Sequence, residues 1–207
     1  MWEYQRRHGG ELPTYDPAQA NECVEIAKEL NEAAKAAEKF CLEEIDEDVI
    51  RKTALFSRNQ LSPMAAFWGG IVAQEVVKYT GKYTPLKQWI HFDVFEIVPD
   101  ESADREPMDC RYDDQIRILG RDVHNKLRSM NLFLVGAGAL GCEFLKGLAL
   151  MGASADGLTV VTDDDTIEVS NLNRQFLFRR DDVKHSKSER ASAAAKMMND
   201  EFNVEAK

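Results

Sequence analysis

The chain has 207 residues, 44% hydrophobic and 30% charged, a globular composition that excludes collagen-like, coiled-coil and wholly disordered chains. Its 26 Lys and Arg against 36 Asp and Glu give a formal charge of −10, so a broad phosphate-backbone surface, and with it a nucleic-acid partner, is not expected, while a local anion pocket remains compatible. No apolar run approaches the roughly 18 residues of a spanning helix, the start lacks a signal-peptide core, and Cys23, Cys41, Cys110 and Cys142 are scattered; reduced thiols, no membrane partner, no locally built metal site and a cytoplasmic or nuclear location are expected.

In chain order, residues 16–42 are rich in Ala, Glu and Lys, with Val24, Ala27, Leu30 and Ala34 on one helical face. Asp16-Pro17 is a start signal, because aspartate accepts from first-turn amides and proline lacks only an N–H that would go unpaired there. A shorter helix is expected to open at Asp46 and to run through Val49, Ile50 and Ala54. Ser62-Pro63 opens a third, apolar nearly all round until Gly81 ends it, which predicts a buried helix. Gly69-Gly70 inside it predicts the close approach of another backbone. Aromatic and β-branched residues from 88 to 98 predict a core strand, and the acidic, Pro-containing stretch 99–109 reads as a linker. After it come a helix over 116–130 and a short strand over 131–135.

That strand runs into Gly136-Ala137-Gly138-Ala139-Leu140-Gly141, followed by a helix with Leu140, Phe144, Leu145, Leu148 and Met151 on one face. The first glycine of such a loop permits the tight turn, the second lets backbone approach a phosphate, and the third lets helix and strand pack closely. The phosphate would rest on free amides at the helix N-terminus. A second strand over 158–162 ends at Asp163, 22 residues after Gly141, where a carboxylate can accept from ribose hydroxyls. Thus far the pattern means a nucleotide, NAD included, or a glycine turn in a packed scaffold.

The segment 163–175, Asp-Asp-Asp-Thr-Ile-Glu-Val-Ser-Asn-Leu-Asn-Arg-Gln, is not something a dehydrogenase needs. A triphosphate displaced at its α-phosphorus needs added cations and donors. Arg174 offers a planar fork, Asn171 and Gln175 neutral donors, and Lys187 a point charge. Cys142 opens a packed helix and reads as a small hydrophobe, Met197 and Met198 as core filler, and only one or two of the three aspartates at 163–165 are expected to face a nucleotide.

At these residues the chain resembles the ubiquitin-activating enzymes, within the wider family that adenylates ubiquitin-like and sulfur-carrier proteins. The resemblance is carried by Gly136 to Gly141, by Thr162-Asp163 through Asn171-Leu172-Asn173-Arg174-Gln175-Phe176-Leu177-Phe178, and by Lys187-Ser188. It implies an α/β fold, with a partial Rossmann-like adenylation domain preceded by a helical-bundle segment and the tail of an inactive adenylation half. The corresponding boundaries are 1–48 for the bundle segment, 49–100 for the inactive half, 101–110 for a linker and 111–207 for the start of the active, ATP-binding half. Such a chain would be an internal piece of a longer enzyme, inactive by itself.

The resemblance further implies that Gly136, Gly138, Ala139 and Gly141 line the ATP phosphates and that Asp163 holds the ribose. Asn171, Arg174, Gln175 and Lys187 would contact the triphosphate, Arg174 and Lys187 in catalytic, charge-stabilising roles. It makes ubiquitin and ubiquitin-conjugating enzymes the partners, ATP with Mg2+ the cofactors, and places the main magnesium ligand and the thioester cysteine beyond Lys207. Adenylation of another ubiquitin-like or sulfur-carrier protein, a nicotinamide-dependent oxidoreductase and a non-catalytic scaffold are the alternatives.

Overall fold

The start signal at Asp16-Pro17 behaves as its chemistry predicts: the Asp16 carboxylate accepts from the Ala18 amide at 2.8 Å and Pro17 is the first helical residue. The computed structural model describes residues 1–82, 86–100 and 102–207. They divide into two compact units, Met1–Gln60 with Ile90–Asp100, and Leu61–Trp89 with Glu101–Lys207.

The first unit contains α1 (Trp2–Arg7), α2 (Pro17–Ala36) and α3 (Glu47–Leu55). Its core is Tyr4, Ala20, Cys23, Ile26 and Ala54, with Met1, Ile50 and Leu55 packed around it. Asp46 caps α3 by accepting from the Val49 amide at 3.0 Å. Only the first half of α2 is core: Leu30 is exposed and the helix stops at Ala36, where Asn31 uses its side chain to bond both backbone groups of Leu42. No strand forms over 90–98; the segment carries a single 3-10 turn, Phe95–Ile97, and Gln88 and Trp89, which fall in the second unit, are also non-strand. Aromatic and β-branched residues favour a strand only where a neighbour offers a ladder to pair with.

The second unit opens with α4 (Ser62–Val76), continued by a 3-10 turn to Thr80 and ended by Gly81 at φ +71°. It buries none of its residues, and nothing lies within 4 Å of a Cβ built on Gly69 or Gly70. Both expectations for this helix are therefore corrected: an all-round apolar helix is buried only where neighbours close on every side. Residues 116–130 form two helices, α5 (Asp113–Leu119) and α6 (Arg121–Arg128), broken at Gly120. Gly120 has φ +81°, and a Cβ there would stand 3.3 Å from the Asp104 carbonyl. The Arg121 amide donates to that same carbonyl at 2.8 Å, so the 102–110 stretch lies against the break.

Then follow β1 (Asn131–Val135), α7 (Ala139–Met151), β2 (Leu158–Thr162), α8 (Lys187–Met198) and β3 (Val204–Ala206). The strands form a parallel sheet in the order β1-β2-β3, with Val135 opposite Thr162 and Val160 opposite Glu205. Its core joins Cys142, Leu145 and Ala149 of α7 to Val161, Ile167, Leu177, Phe178, Phe202 and the small face of α8, Ala191 and Ala195. The buried face of α7 is thus Gly141, Cys142, Leu145 and Ala149, while Leu140 and Phe144 point outward. Met198 packs on this core and Met197 is exposed, which corrects its reading as core filler.

Behind the strands, at their amino ends, a buried polar cluster ties helices together. Asn199 donates to the Tyr112 hydroxyl at 2.8 Å and to the Ala149 carbonyl at 2.7 Å, and Gln115 lies 3.2 Å from Nδ1 of His124. Burial, with Arg128 adding to it, holds the His124 imidazole below its ordinary pKa, which favours the neutral ring that this pocket accommodates.

Candidate nucleotide site

The glycine loop sits at the carboxyl ends of β1 and β2, where open parallel sheets hold ligands. Gly136 has φ +98°, and its amide donates to the Thr162 carbonyl at 2.7 Å, stitching the turn to β2. A Cβ on Gly141 would fall 2.1 Å from the Gly136 oxygen, so the third glycine is required for α7 to start this close to its strand. Gly138 is the N-cap of α7 and no side chain caps the helix. The first helical bond runs from the Cys142 amide to the Gly138 carbonyl at 2.9 Å, which leaves the amides of Ala139, Leu140 and Gly141 without an intrahelical carbonyl, at the positive end of the helix.

Gln175 lies beside this loop. Its Nε2 is 3.9 Å from the position a Gly138 Cβ would take. The residue is 4% exposed, and its Oε1 is buried without a hydrogen-bond partner. Such orphan acceptors are uncommon in native interiors and mark a place where another polar group belongs. Asn171, also buried, spends its Oδ1 on the Glu168 amide at 2.9 Å within the 3-10 turn Val169–Asn173. Arg174 is exposed; its Nη1 bonds the Ser170 carbonyl at 2.9 Å and Asn173 Oδ1 at 3.0 Å, with Nε and Nη2 outside those bonds.

Asp163 is the hub between loop and sheet. Its Oδ2 accepts from the Ala137 amide at 2.6 Å and its Oδ1 from the Asp165 amide at 3.0 Å. A carboxylate has about four acceptor positions, so a hydroxyl donor is still accommodated. Asp163, Asp164 and Asp165 bring one carboxylate oxygen each within 4.8 Å of one another, closer together than strict alternation of side chains implies, because the segment leaves the strand at Thr162. Lys187, the first residue of α8, is paired with Asp165, Nζ to Oδ2 at 2.6 Å. A cavity of about 370 Å³ at this end of the sheet is lined by Thr162, Asp163, Asp164, Ser186, Ser188 and Glu189 together with Ala206 and Lys207.

The structure therefore gathers the glycine loop, Asp163 and Gln175 into one place, and sets Lys187 beside Asp165, while Arg174 is held in its own turn. Burial pushes the Cys142 thiol up, which keeps it protonated and non-nucleophilic, as expected of a packed cysteine. Ser186 was not singled out from sequence although Ser186-x-x-Glu189 has the helix-start pattern; its Oγ accepts from the Glu189 amide at 3.4 Å. The pairing of Asp165 with Lys187 had no local signal, since 22 residues separate them.

Residues 112–207 match the model of the ThiF family. Over most of its length the chain is similar to ubiquitin-activating enzymes. It is 45% identical to ubiquitin-like modifier-activating enzyme 7 of Mus musculus over 99% of this chain and 21% of that protein. It is 47% identical to ubiquitin-activating enzyme E1 2 of Arabidopsis thaliana over 90% of this chain and 18% of that protein. To ubiquitin-like modifier-activating enzyme 1 of Homo sapiens the identity is 41%, over 99% of this chain and 20% of that protein. The chain thus spans about a fifth of the length of these relatives. Among solved structures, the crystal structure of E. coli MccB with ATP is similar at 30% identity and a TM-score of 0.43, covering 48% of this chain and 30% of that one.

Proposed function

We propose that the chain is part of an ATP-dependent activating enzyme that adenylates the C-terminal carboxylate of ubiquitin. In this reaction a carboxylate oxygen bonds to the α-phosphorus of ATP, the bond from that phosphorus to the bridging oxygen breaks, and pyrophosphate leaves with the electron pair. The thiol of a cysteine outside this chain then bonds to the acyl carbon and loses its proton, the bond from that carbon to the phosphate oxygen breaks, and AMP leaves with the electron pair. Ubiquitin-conjugating enzymes receive the resulting thioester, in the cytoplasm or nucleus. The four-part organisation read from the sequence, with the active half from residue 111, goes with this reading.

The observation that carries it is the strand, tight glycine turn and uncapped helix start, with the Nε2 donor of the buried Gln175 beside Gly138. Residues with these properties fit a polyphosphate: the amides of 139–141 cradle its oxygens, and Gln175 orients against the loop. Asp163 holds the ribose. Mg2+, with its main ligand outside this chain, supplies further charge neutralisation when bound. Lys187 and Arg174 stabilise charge on the transferring and leaving groups, Arg174 through the Nε and Nη2 donors that its own turn leaves over. The names of the similar proteins favour ubiquitin or a close relative over a sulfur carrier.

The test is ATP–pyrophosphate exchange by the full-length protein, with and without ubiquitin, beside Arg174→Ala. Exchange should require ubiquitin and fall roughly 100-fold in the variant, the scale for one preorganised donor. An unchanged rate would remove Arg174 from the mechanism, and absence of exchange from an ATP-saturated, folded sample would overturn the reading.

A further inference from the structure

We infer that Asp165 is a positioning residue that fixes the Lys187 ammonium at the carboxyl end of β2 before the nucleotide arrives; this rests on the adenylation reading above. An ion pair on a protein surface usually contributes little, because two flexible side chains are held in high dielectric. This pair is different on the lysine side. The Lys187 side chain is 9% exposed while that of Asp165 is 68% exposed, so the ammonium is the group withdrawn from water and the carboxylate is its counter-charge. A buried ammonium without such a partner is strongly disfavoured.

The backbone beneath both residues is already fixed. The Lys187 amide donates to the Asp165 carbonyl at 3.1 Å, the Ile167 amide to the His185 carbonyl at 2.9 Å, and the Lys184 amide to the Ile167 carbonyl at 2.7 Å. Thr166 and Ser186 form an antiparallel bridge between the two segments. The Asp165 amide is held by Asp163, whose other oxygen takes the Ala137 amide of the glycine loop. A continuous run of bonds therefore joins the loop to the lysine: Ala137, Asp163, Asp165, Lys187. The remaining freedom lies in the four-carbon lysine stem, and the 2.6 Å contact to Asp165 removes it. An ammonium has three N–H donors; Asp165 Oδ2 takes one, and two remain for phosphate oxygens. Charge placed before the reaction lowers a barrier more than charge that must be gathered during it.

The experiment is a double-mutant cycle in the full-length protein, reading kcat and the ATP KM of ubiquitin-dependent exchange for wild type, Asp165→Ala, Lys187→Ala and the double variant. Asp165→Ala should lower kcat roughly ten- to a hundredfold, the range for a misplaced catalytic group, with KM for ATP altered less than about threefold. In the Lys187→Ala background the same substitution should cost nothing further, because Asp165 acts through the lysine. Asp165→Asn keeps the shape and an acceptor oxygen, should fall between wild type and Asp165→Ala, and carries the cycle if the alanine variant does not fold. Equal losses in both backgrounds, a loss confined to KM, or an unchanged kcat would overturn the role of Asp165 and leave adenylation standing. No exchange in the wild type would overturn adenylation itself, and this role with it.

Discussion

Helices α4 and α7 belong to the same unit, are both apolar and carry two glycines each, yet only one behaves as a core helix. On α7, Leu145 is fully buried and the missing Cβ of Gly141 is occupied by the Gly136 backbone. On α4 no residue is buried, and Gly69 and Gly70 face open space. Apolar residues and glycines license a close approach; the approach itself is supplied by whatever the rest of the chain brings there. For α7 the two strands and α8 bring it; α4 meets α7, but among the described residues nothing closes over its glycines or buries any of its side chains.

Four substitutions break or sharpen this contrast. The largest effect is expected for Gly141→Ala: its new methyl would meet backbone rather than a side chain that can turn away, and the cost should reach about 4 kcal/mol, above the usual overpacking range. Denaturant unfolding measures it, and a loss under 1 kcal/mol would mean that the turn yields. Next, Leu145→Ala should cost about 3 kcal/mol as a core truncation, while Leu140→Ala, on the outward face at 74% exposure, should stay within about 0.5 kcal/mol; similar costs at both positions would overturn the assigned face of α7. Opposite in sign is Gly69→Ala, which should stabilise α4 by about 0.5–1 kcal/mol through helix propensity. If unfolding of the full-length protein instead shows destabilisation, another backbone does pack against α4 there, and the sequence expectation for this glycine is restored.

What the sequence made legible was whatever is decided locally. Asp16-Pro17 and Asp46 mark helix starts because a short carboxylate can reach amides two or three residues on. Strands β1 and β2 were predicted to the residue, since glycines and polar residues bound each apolar run. The break at Gly120 was missed: its cause is the Asp104 carbonyl against that position, 16 residues away in the chain. The strand expected over 88–98 failed for the same kind of reason, as its pairing partner would have to come from elsewhere. In the site, the glycine loop and Asp163 follow from spacing, whereas the burial of Gln175 and the grip of Asp165 on Lys187 depend on how the 163–187 segment folds back on itself.

The two backbone bonds accepted by Asp163 carry one more consequence. The same carboxylate that would read a sugar hydroxyl also fixes the shape of the loop that would cradle the phosphates. Recognition of the two halves of a nucleotide would thereby be mechanically linked. A protein engineer who wished to change the sugar preference here would first have to resupply acceptors for the Ala137 and Asp165 amides, because a side chain chosen only for its fit to the sugar would let the phosphate cradle drift.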